Sequence, residues 1–125
     1  MSLSSAITSV HVDAFDRYIN GVCDEMGYTR REVLGYGRKR EVVDLRHLLM
    51  IVARYEFNLS TPRIGEYFKR DHSTVVHATK KMHNLLSTNQ IDLNLRQSLH
   101  AADQVMFNQW GHYMKTISTW LTQKK

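Results

Sequence analysis

Within seven positions, Asp71-His72-Ser73-Thr74-Val75-Val76-His77 gathers two imidazoles, two hydroxyls and a carboxylate. Hydroxyls and imidazoles both donate and accept hydrogen bonds, and the methyl of Thr74 can touch a thymine methyl. Such groups on the first turns of a helix suit the reading of base edges in a DNA major groove. The free N–H groups of the same helix start favour a phosphate. A second set, Gly35-Tyr36-Gly37-Arg38-Lys39-Arg40, reads as a flexible basic loop. A mobile, cationic arm of this kind can enter a minor groove.

Other chemistry finds no support. His72 and His77 are five positions apart and His77 and His83 six, so neither pair shares a helix face. No His-Glu-x-x-His and no Cys/His cluster occurs, so no metal is expected. Asp92 and Asp103 stand isolated, and no acids converge on the basic segment. Without a nucleophile and base in partnership, the chain reads as a binding protein, not an enzyme, and no cofactor is implied. Cys23 is the single cysteine and lies among Val22 and Met26, which suggests a buried thiol in a reducing compartment.

Charge places the footprint. The 125 residues carry a net charge of +5, and 42% are hydrophobic, enough for one core. Residues 29–81 hold twelve Lys and Arg against six Asp and Glu, while the rest of the chain holds five against six. A polyanion is therefore expected to meet the middle of the sequence. The basic stretch lacks the flanking apolar face that a membrane-surface helix needs. No apolar run is long enough to span a bilayer, and Met1-Ser2-Leu3-Ser4-Ser5 does not open a signal peptide. A cytoplasmic protein without membrane association is expected.

The elements that must position these residues are helical. One proline and six glycines leave few breakers. Val10, Ala14, Tyr18, Val22 and Met26 recur every four residues, predicting a helix over 10–26 that Gly27 ends. Thr29 with Glu32 forms a capping-box pattern for a short helix through Leu34. A third helix is predicted from Glu41 to Phe57, with Leu45, Leu48, Leu49, Val52 and Tyr55 on its stripe. Thr61 as N-cap and Pro62 in the first helical position open a fourth, ending near Phe68. Lys69-Arg70 makes a turn, and Asp71 caps a fifth helix whose Val75, Thr79, Met82 and Leu86 face inward. Residues 61–87 thus have the parts of a helix-turn-helix, with Gly65 allowing close approach. The expected core includes Tyr18, Leu48, Leu49, Val52, Ile64, Phe68, Val75 and Met82. A helix-turn-helix pattern by itself occurs in many all-α proteins.

The block Arg70-Asp71-His72-Ser73-Thr74-Val75-Val76-His77-Ala78-Thr79-Lys80-Lys81-Met82 closely resembles the signature of the C-terminal DNA-binding domain of the bacterial replication initiator DnaA. Upstream, Arg38-Lys39-Arg40-Glu41-Val42-Val43 is similar to that domain's basic loop and following helix. Leu59-Ser60-Thr61-Pro62-Arg63-Ile64-Gly65-Glu66-Tyr67-Phe68 is similar to its first motif helix. The resemblance covers roughly residues 10–88. It implies an all-α, Trp-repressor-like helix-turn-helix domain over 1–88; residues 89–125, outside the resemblance, read as a long C-terminal helical extension. It also implies double-stranded DNA as partner, at a site like the DnaA box, and a role in initiating replication or regulating it. Asp71, His72, Ser73, Thr74 and His77 fall on positions that read bases in the major groove. Arg38 falls on the residue that enters the adjacent minor groove. Arg40, Arg46, His47, Arg54, Thr61, Pro62 and Arg70 fall near the phosphate backbone. The chain departs from the family in having Leu45 and His47 around Arg46, where Pro and Gln are usual, and Thr61 for a commoner Leu. It contains no Gly-x-x-x-x-Gly-Lys-Ser/Thr, so ATP binding is not implied. Alternative roles are a transcriptional regulator of a phage or mobile element, or a protein-interaction module acting through the C-terminal helix.

That extension repeats apolar residues at Leu95, Leu99, Ala102, Met106, Trp110, Tyr113, Ile117 and Trp120. The steps of three and four approach a coiled-coil seam, and an unbroken helix of this span would be about 39 Å long. Two arrangements are open. The helix runs on and forms a homodimer through 95–120, or it breaks near Phe107 to Gly111 and folds back on its own domain.

Overall fold

The computed structural model describes residues 3–122, with side chains from His11 to Leu121. Among the described residues there are seven α-helices and no strand: α1 (Leu3–Met26), α2 (Arg30–Leu34), α3 (Arg40–Tyr55), α4 (Thr61–Phe68), α5 (His72–Ser87), α6 (Leu93–Trp110) and α7 (Thr116–Thr122). The all-α class is as expected. α1 begins seven residues before the 10–26 span predicted for it. Val10, expected on its apolar stripe, lies outside the residues whose side chains are described.

α3 is the axis. Its second half, Leu48 through Ala53, is buried on every side. A helix apolar all round must be enclosed, and α2, α4, α5, α6 and α7 all pack against it. The eight residues expected in the core are all buried there. Phe15, Tyr18, Phe57, Phe68 and Trp110 form one aromatic cluster across α1, the α3–α4 loop, α4 and α6, with ring centroids 5.2–6.3 Å apart. Such edge and offset contacts add to the burial of the rings. The Tyr18 hydroxyl satisfies itself by donating to the Ala102 carbonyl at 2.8 Å, and burial pushes its pKa well up.

Helix ends follow local chemistry. Gly27 closes α1 with φ 77°, a left-handed conformation that glycine adopts without strain. Thr29 and Glu32 make both bonds of the capping box. The start of α4 differs from expectation. Ser60 is the N-cap, its hydroxyl accepting from the Arg63 N–H at 3.3 Å, and Thr61 is already helical with Pro62 behind it. Either hydroxyl residue before the proline could cap. Ser60 wins because Pro62 is equally tolerated at the second helical position, whose N–H has no helical partner in any case.

The C-terminal extension is helical but not one straight rod. α6 ends at Trp110, and Gly111 turns the chain at φ 78°. The fold-back arrangement is therefore the observed one. Glu56, just beyond α3, accepts the backbone N–H groups of Lys115, Thr116 and Ile117 at 3.0, 2.9 and 3.0 Å. One carboxylate thus satisfies the orphan donors at the start of α7. Asp103 holds the preceding turn through the Met114 N–H at 2.7 Å. Trp120 packs edge-on against Tyr55 at 4.9 Å and His83 at 4.3 Å. Leu95, Leu99, Ala102, Met106 and Ile117 are buried in the same core as α1 and α3. The stripe that suggested pairing with a second chain is largely turned inward, leaving Tyr113 exposed and stacked on Phe107.

Glu56→Ala should remove the cap of α7. The expected cost is about 1–2 kcal/mol in unfolding free energy, with a red shift in tryptophan emission as Trp120 leaves Tyr55. Chemical denaturation followed by fluorescence checks both. Unchanged stability would mean that α7 does not depend on this carboxylate.

Candidate nucleic-acid interface

α5 is set by what it buries. Val75, Ala78, Thr79, Met82 and Leu86 face the core, so the opposite side must face solvent. Asp71, His72, Ser73, Thr74 and His77 are all exposed. The structure therefore brings these five residues together on the free first turns of one helix. Asp71 occupies the N-cap position but makes no side-chain cap bond. Its carboxylate is not tied to the helix, contrary to the expected cap. Lys80, Lys81 and Asn84 continue the same exposed side. Sequence reasoning counted the two lysines as charge only; steps of three and four from Ser73 and His77 would have placed them on this face.

The turn before α5 is tight for a specific reason. Lys69 adopts a left-handed conformation at φ 57°, and the Arg70 N–H bonds to the Gly65 carbonyl at 2.8 Å. A Cβ on Gly65 would stand 2.5 Å from the Arg70 carbonyl oxygen. Only glycine lets α4 and the turn approach this closely.

The basic loop is not the loose arm expected from its glycines. Arg46 is buried, and its guanidinium donates to the carbonyls of Val33 at 2.6 Å, Glu32 at 3.0 Å and Gly37 at 3.2 Å. Arg70 donates to Leu34 at 3.2 Å, Gly35 at 2.5 Å and Phe68 at 2.7 Å. Two guanidinium groups thus satisfy the last carbonyls of α2, which have no helical partner. Tyr36 adds a third fastening. Its ring lies 4.5 Å beneath the Arg70 guanidinium and its hydroxyl donates to the Lys69 carbonyl at 2.7 Å. The loop backbone is thereby bound to the turn of the helix-turn-helix. Arg38 itself projects into solvent between the anchored Gly37 and Lys39, the N-cap of α3.

The remaining candidates divide. Arg46 and Arg70, expected near the phosphate backbone, are committed to carbonyls inside the protein. Burial and the nearby Arg70 pull Arg46 below the ordinary arginine range, yet a guanidinium stays charged in proteins. His47 is half-buried, and burial, then Lys81 and Arg46, hold its imidazole below the ordinary range. Arg40 is exposed and pairs with Asp92 at 2.9 Å and Asp44 at 3.6 Å. Arg54 is exposed at the far end of α3, 5.6 Å over the Tyr55 ring. Pro62 is exposed and Thr61 half-buried on the first turn of α4. Among the described residues no group of three or more His, Cys, Asp or Glu could hold a metal ion, and no helix is long and apolar enough to cross a membrane.

A family model described as the bacterial dnaA protein helix-turn-helix matches residues 16–82, more than half of the chain. The chain belongs to this family. The matched span runs from α1 through the buried face of α5, so it contains both the DnaA helix-turn-helix and the loop fastened to it. Among similar proteins, the chromosomal replication initiator protein DnaA of Synechococcus sp. is 39% identical over 71 residues, covering 56% of this chain and 15% of that protein. The DnaA of Thermus thermophilus is 38% identical over 85 residues, covering 67% of this chain and 20% of that protein. The DnaA of Pseudothermotoga lettingae is 33% identical over 73 residues, covering 58% and 16%. The chain therefore matches only a fifth or less of the length of these relatives. No solved structure gives a significant match.

Arg46→Met keeps the apolar stem and removes the donors. It should cost about 2–3 kcal/mol of stability, since buried carbonyls lose charged partners, and should speed amide hydrogen exchange in residues 35–39. Denaturant melts and exchange measurements check it. A side chain that served only as a surface contact would leave both unchanged.

Proposed function

We propose that this chain binds double-stranded DNA at a specific sequence like the DnaA box, and that it acts in replication initiation or its regulation. The observation that carries this reading is the pairing of two exposed elements at a fixed separation. Asp71, His72, Ser73, Thr74 and His77 open α5 and have no partner in the core. Arg38 stands on a loop that Arg46, Arg70 and Tyr36 fasten to the same motif. With α5 in the major groove, its first turns reach base edges. The 37–40 loop then faces the adjacent minor groove, where an A·T-rich stretch is narrow and attracts an arginine.

The other basic residues suit contact with phosphates. Lys80 and Lys81 extend the exposed side of α5, Arg54 lies in the last turn of α3, Thr61 and Pro62 open α4, and Arg40 begins α3 beside the loop. Arg46 and Arg70 act one step removed, by positioning Arg38 and the turn. His47, half-buried beside Lys81, serves the backbone side of the interface in neutral form. In this reading the interface positions and reads a duplex.

Binding of labelled duplexes, boxed or scrambled, tests the assignment. His72→Ala or Thr74→Ala should cost about 1–3 kcal/mol on the boxed duplex and little on the scrambled one. Arg54→Ala should weaken both alike and flatten the salt dependence by about 1 unit. Equal losses on both duplexes for all three variants would remove His72 and Thr74 from base reading.

Arg38→Lys retains the charge but not the planar guanidinium. Its loss of affinity should be confined to boxes with an A·T-rich flank. Equal loss beside a G·C-rich flank would reduce Arg38 to a phosphate contact.

A further inference from the structure

A cleft of about 470 Å³ lies between the start of α3, the C-terminal half of α5 and the start of α6. Three cations line it, Arg38, Arg40 and Lys81, together with two carboxylates, Asp44 and Asp92. Asp92 divides its oxygens between two tasks. Oδ1 accepts the Leu95 N–H at 2.9 Å and caps α6, while Oδ2 pairs with Arg40 at 2.9 Å. The Arg40 side chain is 75% exposed and that of Asp92 42%, so water screens the pair and its rupture costs little.

The position of this cleft gives the pair a meaning. If α5 enters the major groove and the 37–40 loop the neighbouring minor groove, one sugar–phosphate strand must pass between them. The cleft separates the same two elements. A phosphate arriving there meets Arg38, Arg40 and Lys81, but also the two carboxylates that already hold Arg40, Asp92 the nearer at 2.9 Å and Asp44 at 3.6 Å. We infer that Asp92 is a built-in competitor of DNA phosphate for Arg40, occupying in the free protein the place a phosphate takes in the complex. The exchange lowers affinity for all duplexes alike and leaves discrimination to the first turns of α5. The inference rests on the DNA-binding reading above.

The test is a double-mutant cycle read by duplex binding across a salt series. Asp92→Asn keeps an oxygen to cap α6 and gives up the charge; Asp92→Ser also caps but is too short to reach Arg40. Both variants should bind boxed and scrambled duplexes roughly 3- to 5-fold more tightly at low salt, with a salt dependence steeper by about 1 unit. In an Arg40→Ala background the same changes should alter affinity by less than about twofold, since the competitor then has nothing to hold. Full-sized gains in that background, or no gain with Arg40 present, would overturn the inference while wild-type binding upholds the proposed function. Failure of the wild-type protein to bind either duplex at low salt would overturn both.

Discussion

Unpaired carbonyl groups at the end of a short helix are the constraint on which the rest of this molecule depends. α2 has five residues, so the last four carbonyls that any helix leaves without helical partners are most of those it has. Its end cannot be left to water, because α3 and the turn after α4 pack against it. Arg46 from α3 and Arg70 from the motif's turn supply the donors. In doing so they tie the end of α2, and the basic loop that follows it directly, to α3 and to the helix-turn-helix, whose Arg70 reaches Leu34 from 36 positions away. Charged donors on neutral carbonyls are strong bonds. The price is a buried guanidinium with a second close by; burial first, then Arg70, pulls Arg46 below the ordinary arginine range.

The functional consequence is geometric. On the proposed reading, a loop whose arginine enters a minor groove works best when its distance from α5 is preset, because ordering it on binding would cost conformational entropy. Fastening Gly35 and Gly37 by their carbonyls, and Tyr36 by its ring and hydroxyl, supplies that order in advance. The long-range cap from Glu56 serves the other side of the molecule, folding α7 against α3 and α5 so that Trp120 supports α5 at His83. The network of Arg30, Tyr67 and Asp16 ties α4 to α1 and α2 from behind; burial first, then the hydrogen bond to Asp16, pushes the Tyr67 pKa up to about 12 against the opposing effect of Arg30.

Much of this was legible in the sequence because it is local. The capping box of Thr29 and Glu32, the stop at Gly27, the inward stripe of α5 and the exposed polar set at its start all follow from spacing within a few residues. The break at Gly111 was one of two readings, since the apolar steps from Leu95 to Trp120 fit both a seam and a hairpin. What decided it is Glu56, some sixty positions away, and no periodicity shows such a partner. The same limit applies to Arg46 and Arg70. A basic residue in a basic segment reads as a surface contact, and only the fold shows that its partners are carbonyls beneath the surface. Flanking glycines likewise signal a mobile loop, yet the fastening comes from side chains on other elements.

The claim that a fixed pair of elements reads the duplex is tested most directly by selecting bound sequences from a random duplex pool. The account predicts one enriched core motif with an A·T-rich stretch on one side, at a single spacing from the core. Enrichment of a core with no such flank, or with the flank at variable spacing, would contradict a preset loop. A pool that emerges without any enriched motif would contradict sequence-specific recognition altogether.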